Sequence, residues 1–86
     1  MRHITPPRLV ELQPLIVRLR AVDRLVEHRP GGFSFGSRAF LHFHEHGEDF
    51  YADVRLDGIA FERLRVTTRA EQAKLVTAVR KAVAAS

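Results

Sequence analysis

Residues 40–56 decide the fold, and they read Phe40-Leu41-His42-Phe43-His44-Glu45-His46-Gly47-Glu48-Asp49-Phe50-Tyr51-Ala52-Asp53-Val54-Arg55-Leu56. Apolar and polar side chains alternate through most of this stretch, which is typical of strands with two unlike faces. His46-Gly47 interrupts the alternation, and its glycine can adopt the positive φ that a tight turn needs. The stretch therefore predicts a β-hairpin with one apolar face and one face that carries histidines.

A two-residue turn at His46-Gly47 determines which side chains lie opposite one another. On the face predicted to be buried, the pairs are Phe43 with Phe50, Leu41 with Ala52, and Ala39 with Val54. On the other face, the pairs are His44 with Asp49, His42 with Tyr51, and Phe40 with Asp53. A shift of one residue would move polar side chains into the core. The alternation therefore strongly favours this assignment of side chains to the two faces.

A helix is predicted on each side of the strands. The N-terminal stripe consists of Leu12, Leu15, Ile16, Leu19 and Val22, whose spacing predicts a helix from Gln13 to Val22. An extra turn over Pro7–Leu12 with a kink at Pro14 is compatible with the pattern, because proline is tolerated only in the first turn of a helix. The C-terminal stripe consists of Leu75, Val76, Val79, Ala82 and Val83, and a Thr68-to-Glu71 capping box precedes it.

The remaining strands are read from turn residues. Leu25–His28 is either the end of the first helix or a strand, and the following glycines favour the strand. Gly36-Ser37 predicts a two-residue turn, and Asp57-Gly58 predicts a hairpin leading into a strand over Ile59–Val66. Strict alternation would bury Arg63 and Arg65 in that last strand, so a bulge near Glu62-Arg63 is predicted.

These elements together predict an α+β fold. The predicted order is a helix, an antiparallel meander of four to five strands and a C-terminal helix, with the helices packed on one sheet face. The chain of 86 residues forms a single domain, 1–86, in which residues 1–6 are a flexible arm. A domain of this size buries little surface, so a homodimer is expected to add stability.

Composition narrows the function classes. The chain has no cysteine, which excludes disulfide and thiolate chemistry. No apolar run approaches a membrane span, and the first residues lack the apolar core of a signal peptide, so a cytoplasmic protein without membrane contact is expected. The net charge of +4 invites weak nucleic-acid binding. The arginines are scattered among acids, and this distribution argues against nucleic acid as a partner.

Aromatic and ionisable side chains share the face that the helices leave uncovered. The predicted ligand or interface residues are Phe33, Phe35, Arg38, Phe40, His42, His44, Tyr51 and Asp53. An exposed patch of this kind marks a surface for a partner or a ligand.

His42 and His44 are the candidate metal ligands. Same-face positions two residues apart lie about 6.6 Å apart along a strand, close enough for two imidazoles to converge on one ion. Asp53 is the predicted third ligand, with Asp49 as another source of oxygen. Two alternatives stay open: the histidines form only the solvated side of the sheet, or His42 performs acid–base chemistry with Asp53 or Tyr51. No nucleophile with an adjacent base is present, so no residue is assigned a catalytic role.

Residues 25–66 also carry a family resemblance. Gly31-Gly32, the aromatic strand Phe33-Ser34-Phe35, Gly36 followed by Arg38, the His42-Phe43-His44 strand and Ala52-Asp53 occur in that order. This pattern resembles that of small bacterial proteins of the "luciferase domain" family. The resemblance points to Gly31, Gly32, Arg38, His42, His44 and Asp53 as functional positions, and it supports a strand over Leu25–His28. It does not imply light emission.

The function predicted first is a small binding or interaction module, homodimeric, that uses the aromatic and histidine face. The alternative is an enzyme site for a divalent metal or for acid–base chemistry, centred on His42 and His44. The second alternative is a weak nucleic-acid binder. No cofactor other than such a metal is expected.

Overall fold

The computed structural model describes every residue from Met1 to Ser86. Its strands are β1 (Arg2–His3), β2 (Leu25–Arg29), β3 (Gly32–Phe35), β4 (Arg38–His46), β5 (Asp49–Val54) and β6 (Glu62–Arg65). Its helices are α1 (Pro6–Leu9), α2 (Gln13–Arg20) and α3 (Arg69–Ala84), and a 3₁₀ turn over Val10–Leu12 joins the first two. The predicted α+β class, with an N-terminal helix, an antiparallel sheet and a C-terminal helix, is confirmed.

All strands belong to one antiparallel sheet of order β2-β3-β4-β5-β6, and β1 pairs with β4 outside that path. Residues 1–6, predicted as a flexible arm, contribute this short strand: Arg2 lies opposite Glu45, and His3 lies opposite His44. Since β5 occupies one edge of β4, β1 and β3 must share the other edge. A gap is left between them, beside His42.

One apolar core lies between the sheet and the helices. It includes Leu41, Phe43, Ala52 and Val54 of the sheet, Leu15, Ile16 and Leu19 of α2, and Leu75, Val76 and Val79 of α3. Leu41 is 1% exposed and Phe43 is 2% exposed, so the predicted parity of β4 is confirmed at these positions. None of the helices combines the length and the apolarity that crossing a bilayer requires.

The predicted register of the central hairpin is wrong by two residues. The turn consists of Gly47-Glu48, and His46 lies opposite Asp49. Gly47 has φ +60°, so the glycine supplies the left-handed conformation at the first position of the turn rather than the second. Because the error is an even number, every side chain keeps its face, but each of them faces a different partner across the strands.

A bulge in β4 overturns the predicted placement of three aromatic residues. The Gly36-Ser37 turn forms as predicted, with φ +60° and +66°, and Ser34 lies opposite Ala39. Phe33 lies opposite Leu41, however, so Phe40 is an extra residue without a partner. The side chain of Phe33 therefore points to the same side of the sheet as that of Leu41, which is the buried side.

Phe33, Phe35 and Phe40 all pack with the core instead of lining the uncovered face. Phe33 is fully buried and Phe40 is 5% exposed. Phe35 packs edge-on against Phe40, and the guanidinium of Arg24 lies 5.6 Å from its ring centre. The aromatic patch predicted for the open face therefore does not form, and Tyr51 is its one predicted aromatic member that stays there.

The last strand is shorter than predicted. Asp57 accepts hydrogen bonds from the backbone N–H groups of Ile59 and Ala60, so residues 55–61 form a loop instead of a tight hairpin. Val54 consequently lies opposite Glu62, and Asp53 lies opposite Arg63. Plain alternation then directs Leu64 towards the core and Arg63 away from it. The predicted bulge near Glu62-Arg63 is absent.

The local predictions for the helices and the first long strand are confirmed, except that α2 ends at Arg20 and not at the predicted Val22. The Thr68 hydroxyl accepts a hydrogen bond from the N–H of Glu71, whose carboxylate accepts one from the N–H of Thr68. Pro14 lies in the first turn of α2. Leu25–Arg29 is a strand, and Pro30-Gly31 turns the chain into β3, with Gly31 at φ +74°.

Candidate functional site

Three predicted site residues converge on the face of the sheet that the helices leave uncovered. His42 and His44 come from β4, and Asp53 comes from β5 directly opposite His42. His44 Nε2 lies 3.0 Å from Asp53 Oδ2, and His42 Nε2 lies 3.4 Å from the same oxygen. One carboxylate oxygen thus contacts both imidazoles. We name these three residues the His-His-Asp cluster.

The carboxylate of Asp53 is held in place from β6. Arg63 Nε donates to Oδ1 at 2.7 Å, and Arg63 Nη2 donates to Oδ2 at 2.8 Å. This two-pronged bond is the main reason why the pKa of Asp53 lies below its ordinary value, although burial opposes the shift. Asp53 is therefore ionised at neutral pH and has a fixed orientation.

His42 is half-buried at the edge of the cluster. Burial is the largest influence on its pKa and lowers it from the ordinary 6.5, while the charge of Asp53 opposes that shift. The ring packs edge-on against Phe61, with 5.1 Å between ring centres. The imidazole is therefore mostly neutral at pH 7, which is the form that binds metal ions.

His44 is 8% exposed and lies deeper than His42. Its Nε2 has no hydrogen-bond partner, even though Asp53 Oδ2 is near. The short distance and the missing bond are compatible, because a ring N–H or lone pair must also point at its partner. A buried nitrogen without a hydrogen bond is uncommon and costs free energy. This nitrogen is therefore available to a partner that approaches from another direction than Asp53.

His3 is a neighbour of the cluster that sequence reasoning missed. Its ring lies 4.5 Å from the ring centre of His44 and 5.8 Å from that of His42. Strand β1 places it there by pairing with β4. A strand of two residues leaves no periodic pattern in the sequence, so no signal could have revealed it. Arg63 and Phe61 were also missed, because the last strand was predicted with the wrong start.

The other predicted site residues lie apart from the cluster or at its margin. Tyr51 lies opposite His44 and is half-buried. Arg38 is exposed at the start of β4 and donates to the carbonyl of Gly58 at 3.0 Å.

On the same face as the cluster, Arg65 pairs with Asp49 and Glu71, so its charge is already balanced. The structure therefore adds no support to nucleic-acid binding, which stays a prediction.

Comparison with protein-family models, with curated proteins and with known structures found no match for this chain. The resemblance to the "luciferase domain" family stays a prediction for that reason. The case for function accordingly depends on the site itself.

Proposed function

We propose that this protein is a small module that binds a divalent transition-metal ion through His42, His44 and Asp53. The observation that carries the proposal is the convergence of one potential ligand atom from each residue, all within 4.8 Å of one another. The proposal develops the metal alternative of the sequence analysis. The predicted aromatic surface gives weaker support for a binding site, because Phe33 and Phe40 are in the core and Phe35 packs against it.

The distances suit a tetrahedral ion. Zinc–ligand bonds of about 2.0–2.2 Å at tetrahedral angles place neighbouring ligand atoms about 3.3–3.6 Å apart. The separations of 3.0 and 3.4 Å from Asp53 Oδ2 are close to this range. The two imidazoles are 5.0 Å apart between ring centres and tilted by 64°, so small rotations would direct both Nε2 atoms at one point.

The chemistry of the donors suits the ion as well. A metal at this point would coordinate His44 Nε2, the buried nitrogen that has no hydrogen bond. Arg63 orients the carboxylate of Asp53, as partners around metal ligands commonly do, and a carboxylate has enough lone pairs to bind both. The positive charge of Arg63 weakens the attraction for a cation, so we expect moderate affinity.

Two imidazoles and one carboxylate select the kind of ion. Nitrogen ligands favour zinc, iron or copper over magnesium and calcium, which prefer oxygen. Three protein ligands also leave coordination positions free for another molecule. The proposed site is therefore of the open type that binds ligands or substrates, whereas closed structural zinc sites have four protein ligands.

Calorimetric titration of untagged protein with Zn²⁺ tests the proposal. We expect one ion per chain and at least 100-fold weaker binding after His42→Ala together with His44→Ala. His46→Ala is the matched control, because His46 is an exposed histidine on the same strand outside the cluster. Mg²⁺ serves as the hard-cation control and is expected not to bind.

The proposal fails if Zn²⁺ does not bind, or if the double variant and His46→Ala bind it equally well. The double variant must keep the far-UV circular dichroism of the parent, so that lost binding is not lost folding. Asp53→Asn is a further check that retains the shape of the side chain while removing its charge.

A second proposal, the predicted homodimer, is supported by apolar side chains in the 55–61 loop. Ile59 is 79% exposed and Phe61 is 39% exposed, beside the cluster. Exposed apolar groups of this size are common at contacts between copies of a chain. Light scattering tests it: a dimer that becomes a monomer in Ile59→Glu supports the proposal, and a monomeric parent protein excludes it.

A further inference from the structure

A cleft opens next to the His-His-Asp cluster, in the gap between β1 and β3. Its volume is ≈ 270 Å³, enough for a small molecule or an anion with its water. The residues that line it are His3, Ile4, Arg29, Pro30, Gly31, His42 and Phe43. His42 belongs to both the cleft and the cluster, so a molecule in the cleft would be adjacent to a metal bound there.

Arg29 gives this cleft a positive charge. No carboxylate lies within ion-pair distance of its guanidinium, unlike Arg20, Arg63 and Arg65. The Asp53 carboxylate nearby is already balanced by Arg63. An unpaired guanidinium with five N–H donors at a cleft favours carboxylate and phosphate groups, which it can bind with two parallel hydrogen bonds.

Gly32 holds open the space that Arg29 occupies. A Cβ atom at position 32 would lie 2.7 Å from Arg29 Nε and 2.8 Å from Arg29 Cγ. The two residues lie opposite each other at the end of the β2–β3 hairpin, so the arginine crosses over the glycine. Any side chain at this position would displace the arginine stem. The glycine is thus required by the position of Arg29 and not by its own backbone angles.

We propose that the cleft is a subsite for an oxyanion, the carboxylate or phosphate group of a small ligand, and that Arg29 recognises it. The part of this inference that places the anion against a metal depends on the proposed function. In the metal-loaded protein the anion would take a coordination position that the three protein ligands leave free. Recognition by Arg29 does not need the metal.

Titration of ¹⁵N-labelled protein, followed by amide chemical shifts, tests the inference. The probes are inorganic phosphate and acetate, with acetamide as a neutral analogue of the same shape as acetate. In metal-free protein we expect both anions to shift the signals of Gly31 and His42, and acetamide to shift neither. Anions that bind with similar affinity would indicate general oxyanion recognition, whereas a preference of tenfold or more identifies phosphate or carboxylate as the natural group.

Three variants locate the recognition. Arg29→Gln is expected to weaken acetate binding about tenfold or more, since it removes a charge-assisted hydrogen bond. Gly32→Ala is expected to weaken it in the same direction by displacing Arg29. Arg38→Gln is the matched control, because it removes an arginine that lies outside this cleft. Thermal unfolding midpoints of all three verify that the fold is retained.

The inference is overturned if Arg29→Gln binds acetate as well as the parent, if Arg38→Gln weakens binding equally, or if acetamide shifts the same signals as acetate. Zn²⁺ separates this inference from the proposed function. Acetate binding that persists in a protein unable to bind Zn²⁺ contradicts the metal site alone. Zn²⁺ binding without any acetate response contradicts the oxyanion subsite alone.

Discussion

The two faces of the central hairpin are built from alternate residues of the same strands, yet they differ in almost every physical property. On the covered face, Leu41, Phe43 and Val54 are at most 2% exposed and belong to the apolar core. On the open face, His42 and Asp53 lie opposite each other, with 3.4 Å between His42 Nε2 and Asp53 Oδ2. The covered face therefore carries the stability of the fold, and the open face is free to carry chemistry.

The largest expected effect is a loss of stability on the covered face. Phe43→Ala removes a 2% exposed ring and should lower the free energy of unfolding by about 3–5 kcal/mol. His42→Ala, its neighbour on the open face, should lower it by about 1 kcal/mol or less. Urea denaturation measures both. Equal losses from the two substitutions would contradict the claim that the covered face supplies most of the stability.

A smaller effect is expected from the helix that covers the core. Thr68→Ala removes the side-chain half of the capping box and should destabilise the protein by about 1 kcal/mol. Thermal unfolding measures this loss. Zn²⁺ and acetate titrations of the same variant should match those of the parent, because α3 contributes no residue to the cluster or to the cleft. A change in either affinity would show that the two faces are coupled through the sheet.

The smallest effect concerns the pH dependence of the covered side. Arg20 is the main cause of the low pKa of Glu27, and the N–H of Gly31 also donates to its carboxylate. A folded-state pKa below the ordinary 4.5 contributes stability above that pH, and the contribution disappears as the pH falls through the folded value. Its size should not exceed about 1 kcal/mol, as is usual for a partly exposed pair.

Unfolding free energies between pH 7 and pH 3 measure this contribution. The parent should lose stability as the pH falls below 4.5, and Glu27→Gln should lose less over the same range. His42→Ala is a suitable comparison, because a histidine with a lowered folded-state pKa costs stability as the pH falls below 6.5, at higher pH than the loss expected from Glu27. If Glu27→Gln follows the same curve as the parent, the Arg20–Glu27 pair does not contribute to the stability of the covered side.

The face on which each side chain of the central hairpin lies was predictable from the sequence, whereas the pairing of residues across β4 and β5 was not. Alternation places Phe43 on one face and His42 on the other whichever residue begins the turn. The exact pairing depends on one glycine, since Gly47 adopts φ +60° at the first turn position and moves the register by two. Both registers bury the same side chains, so hydrophobic pattern cannot distinguish them.

The bulge at Phe40 explains why part of the site prediction failed. Gly36-Ser37 indicates the turn correctly, but no residue type marks an extra residue farther along β4. The bulge makes Phe33 pair with Leu41 and become buried, which removes the aromatic patch. His42 kept its predicted face because the bulge precedes it in β4, and Asp53 of β5 shares that face because it pairs with His42.

Strand β1 has a consequence for access to the cluster. Only Arg2 and His3 pair with β4, but the buried carboxylate of Glu45 accepts further hydrogen bonds from Arg2 and Thr5, and Ile4 packs against the core. Detaching this segment would leave a buried carboxylate without its partners, which costs free energy. The short strand is therefore fastened by Glu45 more than by its own ladder, and it keeps the deep imidazole of His44 covered. Amide protons of Ile4 and Thr5 should accordingly be protected from exchange, and Glu45→Gln should reduce that protection.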